Sequence, residues 1–505
     1  MDKQSIDWAI LVYISADRVL TNFAVESLKQ LKRSAGNGII ALAQMQATDE
    51  AEAKRYVFNG TTDPNSSIED DRPPSTEPAH FLPGGISNPQ NLTEFLKWAS
   101  TYEAKHRCLF LWGHGYELLL NDDQSGIPQS GVNTHGPNGV GTVQNGVKPG
   151  MEGQQTGGKD QGVTGRNYLA PRSLKNALEK ARPFAGILDI VGIDACSLCL
   201  VELAGELGDS SKFLIASQED VPDASFPYER LLTELKGYDR DNVEGICTAI
   251  PRLYAEAYQD YVVAPGTGMK EITLSSLRLK NIGGITEPLT GLAAALLSSA
   301  GDRTVRKTVL AARKAARDFA LGLFVDLRDF CFQLSANLQE GDLRSACDAV
   351  LRAIDARDFI AANETGDGAE SRCHGLSIYL PYLTQAEMDK AHQSMMAATS
   401  LVDQAPLLVK GGTNQILKAR GVQISQIEGD FESLVEFKKT GWSEFIRHGW
   451  SVILASEEPN ELDQHYSGEQ CAINLLSLLK PSDPKSDSKP SHGLPLQMAA
   501  VATKT

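Results

Sequence analysis

A chain of 505 residues, 42% of them apolar, can bury a large core, divided into two or three domains or built as one elaborated α/β unit. Its formal net charge of −16 speaks against nucleic acid or an anionic membrane as main partner, since both attract basic surfaces. No apolar run approaches bilayer-spanning length, the opening MDKQSIDWAI lacks a basic n-region and an apolar h-region, and the eight irregularly spaced cysteines then read as reduced thiols. A cytoplasmic location is the expectation.

In chain order, residues 10–14 and 39–45 read as two strands joined by a helix over 22–33. Residues 50–83, polar and carrying EDDRPPSTEP, read as a surface loop. A helix over 91–106 then leads into RCLFLWGHG at 107–115, where an apolar strand (Cys108 to Trp112) ends in the tight turn Gly113-His114-Gly115. Residues 121–166 hold twelve glycines, many Asn, Gln, Ser and Thr, and almost no large apolar side chain. Such a segment cannot offset its ordering entropy and is expected to be disordered. It reads either as a tolerated surface insertion or as an exposed linker open to proteolysis. A helix over 168–181 brings the chain back to the sheet.

Residues 186–208, GILDIVGIDACSLCLVELAGELG, organise the rest. A β-branched run is followed by Asp194-Ala195-Cys196, and then Leu198, Val201, Ala204 and Leu207 repeat every three residues, as on a helix face, with Gly208 where a C-cap glycine belongs. Cys196 therefore falls where a strand hands over to a helix, at the carboxyl edge of a parallel sheet, where sites of open α/β folds gather. The helix dipole there favours the thiolate. Repeated β-α-β units, with 213–216 as a further strand and 220–227 as a loop beside the site, complete a core over 1–240. Beyond it, helical spacing over 243–261, 304–319 and 343–357, a strand at 376–380 and a helix at 385–396 give a largely helical region to about 450. Residues 451–505 form an extension whose tail from about 481, PSDPKSDSKPSHG, is expected to be disordered.

Two neighbouring parallel strands carrying His114 and Cys196 at their carboxyl ends would bring imidazole and thiol together for nucleophilic catalysis. Taken singly, a buried Cys is an ordinary core residue and a His on a turn is ordinarily solvated; their matching strand-end contexts make the pair informative. The backbone N–H groups of Gly115 and Cys196 are the oxyanion-donor candidates. Asp194, two residues before the thiol on the same strand, points to the same side, and a buried carboxylate there needs a cationic partner. The bland alternative is a carboxylate capping the following helix. Cys196-Ser197-Leu198-Cys199 is also a C-x-x-C, so thiol–disulfide exchange is the alternative enzyme class, and a non-catalytic scaffold the alternative outside enzymes. Zinc fits poorly, since Cys196 and Cys199 lack a second pair and Cys373-His374 lacks ligand spacing.

Strand–His–Gly followed by strand–Asp–Ala–Cys resembles the clostripain-like cysteine peptidases. WAILVYISADRVL (8–20), GISNPQNLTEFLKWAS (85–100), ASQEDVPDASFPY (216–228), FVDLRDF (324–330), GLSIYLP (375–381) and TGWSEFI (440–446) are similar to further segments of that family. Tyr116-Glu117-Leu118 after His114-Gly115 and the long Gly-rich insertion depart from its pattern. The resemblance implies a caspase-like α/β fold, a mostly parallel sheet flanked by helices, and cleavage of proteins or peptides after Arg or Lys, with Asp194 recognising the basic side chain and Asp220 and Asp223 as further candidates for that pocket. It also implies activation by cleavage between the two motifs, autocatalytic or by an upstream protease. Of the basic residues in 121–166, Lys148 precedes Pro149, Lys159 precedes Asp160, and Arg166 has neither obstacle, so Arg166 is the expected processing site and Lys159 the second. No cofactor is expected; calcium dependence enters by family analogy alone, because no loop has the spacing of a dedicated calcium site. An intracellular zymogen fits a proteolytic cascade such as antiviral defence, again by analogy.

Overall fold

The structure, a computed structural model, describes residues 6–16, 20–47, 53–73, 88–113, 169, 171–222, 224–258, 272–320, 322–366, 372–382, 434 and 436–454. The expected helix at 385–396, the linker 121–166 and the tail from 481 lie outside these residues, as does most of the extension 451–505.

In β1 (Ile6–Ala16), Trp8, Ile10, Val12 and Ile14 join one apolar layer, and Ala9, Leu11 and Tyr13 join another. Side chains alternate along a strand, so a strand buried on both faces reads as an unbroken apolar run. The chain continues through helix α1 (Thr21–Ser34), β2 (Ile39–Ala47), β3 (Lys54–Phe58), α2 (Pro89–Ala99), β4 (Ala104–Trp112), α3 (Pro171–Ala185) and β5 (Leu188–Asp194). It then adds α4 (Val201–Leu207), β6 (Ser211–Ala216), α5 (Tyr228–Leu235), α6 (Val243–Ala257) and β7 (Thr273–Arg278). The rest is α7 (Gly283–Ser299), α8 (Arg303–Ala315), β8 (Asp318–Phe319), β9 (Phe324–Asp326), α9 (Leu327–Ala336), α10 (Asp342–Asp355), β10 (Ile360–Thr365) and β11 (Ser377–Tyr379).

Among the described residues the main sheet runs β10-β7-β6-β5-β4-β1-β2-β3. Its central strands β6, β5, β4, β1 and β2 are parallel, while β3, β7 and β10 pair antiparallel at the two ends. Leu28 and Leu31 of α1, Leu231 of α5 and Ile250 of α6 cover one face; Phe95 of α2, Leu174 of α3 and α4 cover the other. This is the mostly parallel, helix-flanked sheet of the caspase-like arrangement.

Four expectations need correction. The stretch 50–83 is not all loop, because KRYVF forms the edge strand β3 and Lys32 of α1 anchors the following turn. The Lys32 ammonium, buried, lies 2.5 Å from Asp71 Oδ2 and also donates to Ser66 Oγ (2.8 Å) and the Ser67 carbonyl (3.1 Å), which uses all three of its protons. The helix expected over 91–106 stops at Ala99, and His106 already belongs to β4. The boundary at residue 240 does not coincide with a break in the sheet, since β7 and β10 extend it. Finally, the helix after β5 starts at Val201, not beside Cys196, and Gly208 is its C-cap in right-handed conformation.

The later chain packs against the elements around α4. β11 pairs with β9 in a small antiparallel sheet, the Ser377 N–H donates to the Cys199 carbonyl (2.8 Å), and the Trp442 indole donates to the Tyr379 carbonyl. Glu202 of α4 joins the two parts by accepting the Tyr379 N–H at 2.8 Å. Burial raises this carboxyl from its ordinary 4.5 to about 8. Because the folded state holds the proton more tightly than the unfolded state, the stability it contributes is complete below about pH 4.5 and is lost as pH rises through about 8. Glu202→Gln keeps an acceptor for Tyr379 and has no proton to lose. Urea unfolding at pH 5 and pH 9 should show the variant gaining on the wild type at pH 9 by up to roughly 4 kcal/mol. An equal pH dependence in both proteins would refute the assignment.

Candidate active site

The edge that carries the candidate site is set by the pairing of β4 with β5. Their register matches Cys108 with Ile190 through to Trp112 with Asp194, and the Gly113 N–H still donates to the Asp194 carbonyl at 3.3 Å. Gly192 lies opposite Phe110, and a Cβ on it would stand 2.4 Å from that ring, so only glycine fits. Phe110 then packs against Phe226 and Tyr228, both at 5.5 Å between ring centres.

That aromatic contact positions the partners of Asp194. Its carboxylate is fully buried, and Oδ2 accepts the Tyr228 hydroxyl (2.9 Å) and the Phe226 N–H (3.2 Å). Asp194 does not cap the following helix, which begins seven residues later; it holds the 226–228 loop at the strand end. Burial beside this carboxylate pushes the Tyr228 phenol well above its ordinary range, so the phenol stays a donor.

Cys196 sits in the tight loop 195–200, not at a helix N-terminus, so the expected helix-dipole contribution to its thiolate does not apply. Ser197 takes a left-handed conformation (φ +55°) that ordinarily favours glycine. The loop hangs from the segment after β6: the Ser197 N–H donates to the Glu219 carbonyl (3.0 Å) and the Cys199 N–H to the Ser217 carbonyl (2.9 Å). The same segment reaches back to the sulfur, where the Val221 N–H donates to Cys196 Sγ at 3.3 Å. A donor of that kind favours the thiolate. Asp220, partly exposed, accepts the Ser197 hydroxyl at 3.4 Å. His114, Gly115, Asp223, Lys159 and Arg166 lie outside the described residues.

Cys199 is a core thiol. It is fully buried, donates to the Gly375 carbonyl at 3.2 Å, and burial pushes it up to about 12. A redox C-x-x-C needs an accessible thiolate, and this environment opposes one. The seven described cysteines are all free and buried. Among the described residues no group of three or more His, Cys, Asp or Glu is arranged to hold a metal ion, and no helix is long and apolar enough to cross a membrane.

Sequence reasoning did not find Val221, Gln218 or Tyr228. Their roles depend on partners 25, 108 and 34 residues away, and no local pattern carries that information.

No curated protein matches the chain. Among solved structures it is similar to an inactive zymogen C11 protease from Parabacteroides distasonis, at 15% identity over 78% of this chain and 97% of that one, with a TM-score of 0.48. It is also similar to a secreted C11 cysteine protease from Bacteroides thetaiotaomicron in complex with an irreversible peptide inhibitor, at 17% identity over 74% and 92%, with a TM-score of 0.46. The model of the Clostripain family matches residues 158–450, more than half of the chain, from within the linker through the Cys196 loop, the later strands of the main sheet and the small sheet. The chain therefore belongs to the clostripain family of cysteine peptidases.

Proposed function

We propose that this cysteine peptidase is an endopeptidase with His114 and Cys196 as its catalytic dyad, that it cleaves after Arg or Lys, and that it is made as a zymogen. One observation carries the reading. Trp112 and Asp194 are register partners at the ends of two paired strands, and His114 and Cys196 each lie two residues further on. Neighbouring strands run about 4.8 Å apart, so groups leaving them at one register are within side-chain reach of each other. In this scheme His114 takes the thiol proton, Cys196 attacks the peptide carbonyl, and the imidazolium protonates the departing amine before activating water. Gly115 and Cys196 N–H groups would receive the oxyanion. Nucleophile and acid–base group both come from the chain, so the scheme requires no cofactor. Free thiols throughout the described chain fit a reducing compartment such as the cytoplasm, where a zymogen would stand in a proteolytic cascade.

For specificity, Asp194 is the anionic group nearest the nucleophile in sequence, with Asp220 beside it on the loop that reaches the sulfur. Asp194→Ala is a poor test, since it would leave two buried donors unpaired at about 1–3 kcal/mol each. Asp194→Asn keeps an acceptor for both. Its kcat/KM on Arg-P1 peptides should fall about 100-fold, in line with losing a desolvated charge partner, while a neutral P1 analogue changes little. A substrate profile dominated by acidic P1 residues, or an unchanged Arg preference in Asp194→Asn, would contradict the assignment.

A further inference from the structure

A buried polar cluster behind the Cys196 loop has no part in the chemistry above. Gln218 is fully buried between three elements. Its amide donates to Asp326 Oδ2 at the end of β9 (3.0 Å) and to Ser377 Oγ of β11 (2.9 Å), and its oxygen accepts the Gly375 N–H (2.7 Å). Its side-chain amide is thus engaged through both of its ends. Asp326, also fully buried, further accepts the His374 N–H (2.7 Å), the Asp329 N–H (2.8 Å) and a contact from His374 Nδ1 (3.0 Å), which makes it a fixed anchor. On the other side, the Gln218 and Glu219 N–H groups both donate to Thr273 Oγ1 of β7.

The segment 217–221 is therefore clamped from below by β7, β9 and β11. From above it makes three contacts to the nucleophile loop: Ser217 and Glu219 carbonyls take the Cys199 and Ser197 N–H groups, and the Val221 N–H meets the sulfur. With no helix N-terminus at Cys196, this amide is a donor that can offset the cost of placing a thiolate in a nearly closed site.

We propose that Gln218 is a positioning residue for the nucleophile: by locking 217–221 to the later sheet it holds the Val221 N–H on Cys196 Sγ and so sets the reactivity of the thiol. This inference rests on Cys196 being the nucleophile. It also gives the segments FVDLRDF and GLSIYLP a specific task, since Asp326, Gly375 and Ser377 are the contacts Gln218 uses. A displaced Val221 amide leaves the thiolate less favoured, while the substrate-facing residues keep their places. The defect should then appear in kcat and in the pH dependence of the thiol, with KM nearly unchanged.

The test is Gln218→Met, which keeps the volume and removes all three hydrogen bonds, compared with Leu28→Ala, a core truncation in α1 that costs stability without touching the clamp. The readout is the rate of Cys196 alkylation by iodoacetamide from pH 5 to 10, with the adduct located by mass spectrometry, beside kcat and KM on an Arg peptide. Alkylation of Cys196 in the wild type should abolish turnover; active enzyme fully modified at Cys196 would defeat the nucleophile assignment itself. Given that control, Gln218→Met should move the alkylation midpoint upward by about one pH unit and lower kcat about tenfold at pH values well below the wild-type midpoint, where one unit of thiolate pKa is a factor of ten in its population. Leu28→Ala should leave the midpoint in place. If Gln218→Met lowers thermal stability as Leu28→Ala does but keeps the wild-type midpoint and kcat, Gln218 is a structural residue only and the proposal fails. A Gln218→Met protein that does not fold directs the same measurement to Ser377→Ala, which removes one of the three contacts and should shift the midpoint in the same direction; an unshifted midpoint there overturns the proposal equally.

Discussion

Peptide hydrolysis is expected to fall by at least about 1,000-fold in Cys196→Ala and in His114→Ala, with the fold retained in both. Without the sulfur no covalent intermediate forms, and without the imidazole the thiol keeps its proton and the leaving amine departs as a poor anion. The side chain lost in Cys196→Ala is small and belongs to a loop whose carbonyl and amide contacts to Ser217 and Glu219 are made by the backbone. Loss of activity should therefore come without loss of structure, checked by circular dichroism and by turnover of an Arg-P1 fluorogenic peptide. Near-normal turnover in Cys196→Ala would end the dyad assignment.

The second large effect concerns processing of the chain itself. Cleavage within 121–166 is expected after Arg166, with Lys159 second, to give an N-terminal fragment carrying His114 and a larger one carrying Cys196. The double variant Arg166→Ala/Lys159→Ala should remain a single chain and show at least about 100-fold less activity, the scale of effect seen when a catalytic geometry is left misplaced. The two fragments of the wild type should stay together. The linker joins the end of β4 to α3, so the cut separates β1 to β4 from β5 and the strands that follow, and those halves meet along the continuous β4–β5 pairing at the middle of the sheet. Breaking that seam would expose Leu109, Leu111, Val191 and Ile193 on one face and Phe110 and Ile190 on the other, at about 1.5–3 kcal/mol for each large side chain. Size-exclusion chromatography and N-terminal sequencing of the larger fragment check both points. Fragments that separate without denaturant, or a new N-terminus outside residues 122–168, would contradict the activation-linker account.

The central strands are legible because each is buried on both faces, so β1, β2, β4, β5 and β6 appear as apolar runs that need no knowledge of neighbours. The edges are not. KRYVF of β3 and TLSSLR of β7 carry too many polar residues to stand out, since their pairing depends on a strand elsewhere in the chain. Around Cys196 the three-residue spacing of Leu198, Val201, Ala204 and Leu207 misplaces the helix start. All seven residues of α4 are buried, so its spacing marks no boundary between a wet and a dry face, and the loop 195–200 owes its shape to carbonyls beyond β6. The proposed dyad is legible as two polar residues that follow two apolar strands. What Asp194 touches was not, because Phe226 and Tyr228 reach it through an aromatic contact that begins at Phe110.

Covalent trapping tests the central claim most directly. The active protein is treated with an Arg-terminated peptide chloromethyl ketone, which alkylates a catalytic thiolate with loss of chloride, then examined by intact mass and peptide mapping. The account predicts one adduct per chain, on Cys196, absent in Cys196→Ala, slowed at least about 100-fold in His114→Ala, and not formed by the Asp-terminated analogue. An adduct on Cys199 or any other cysteine, or labelling that proceeds equally without His114, would contradict it.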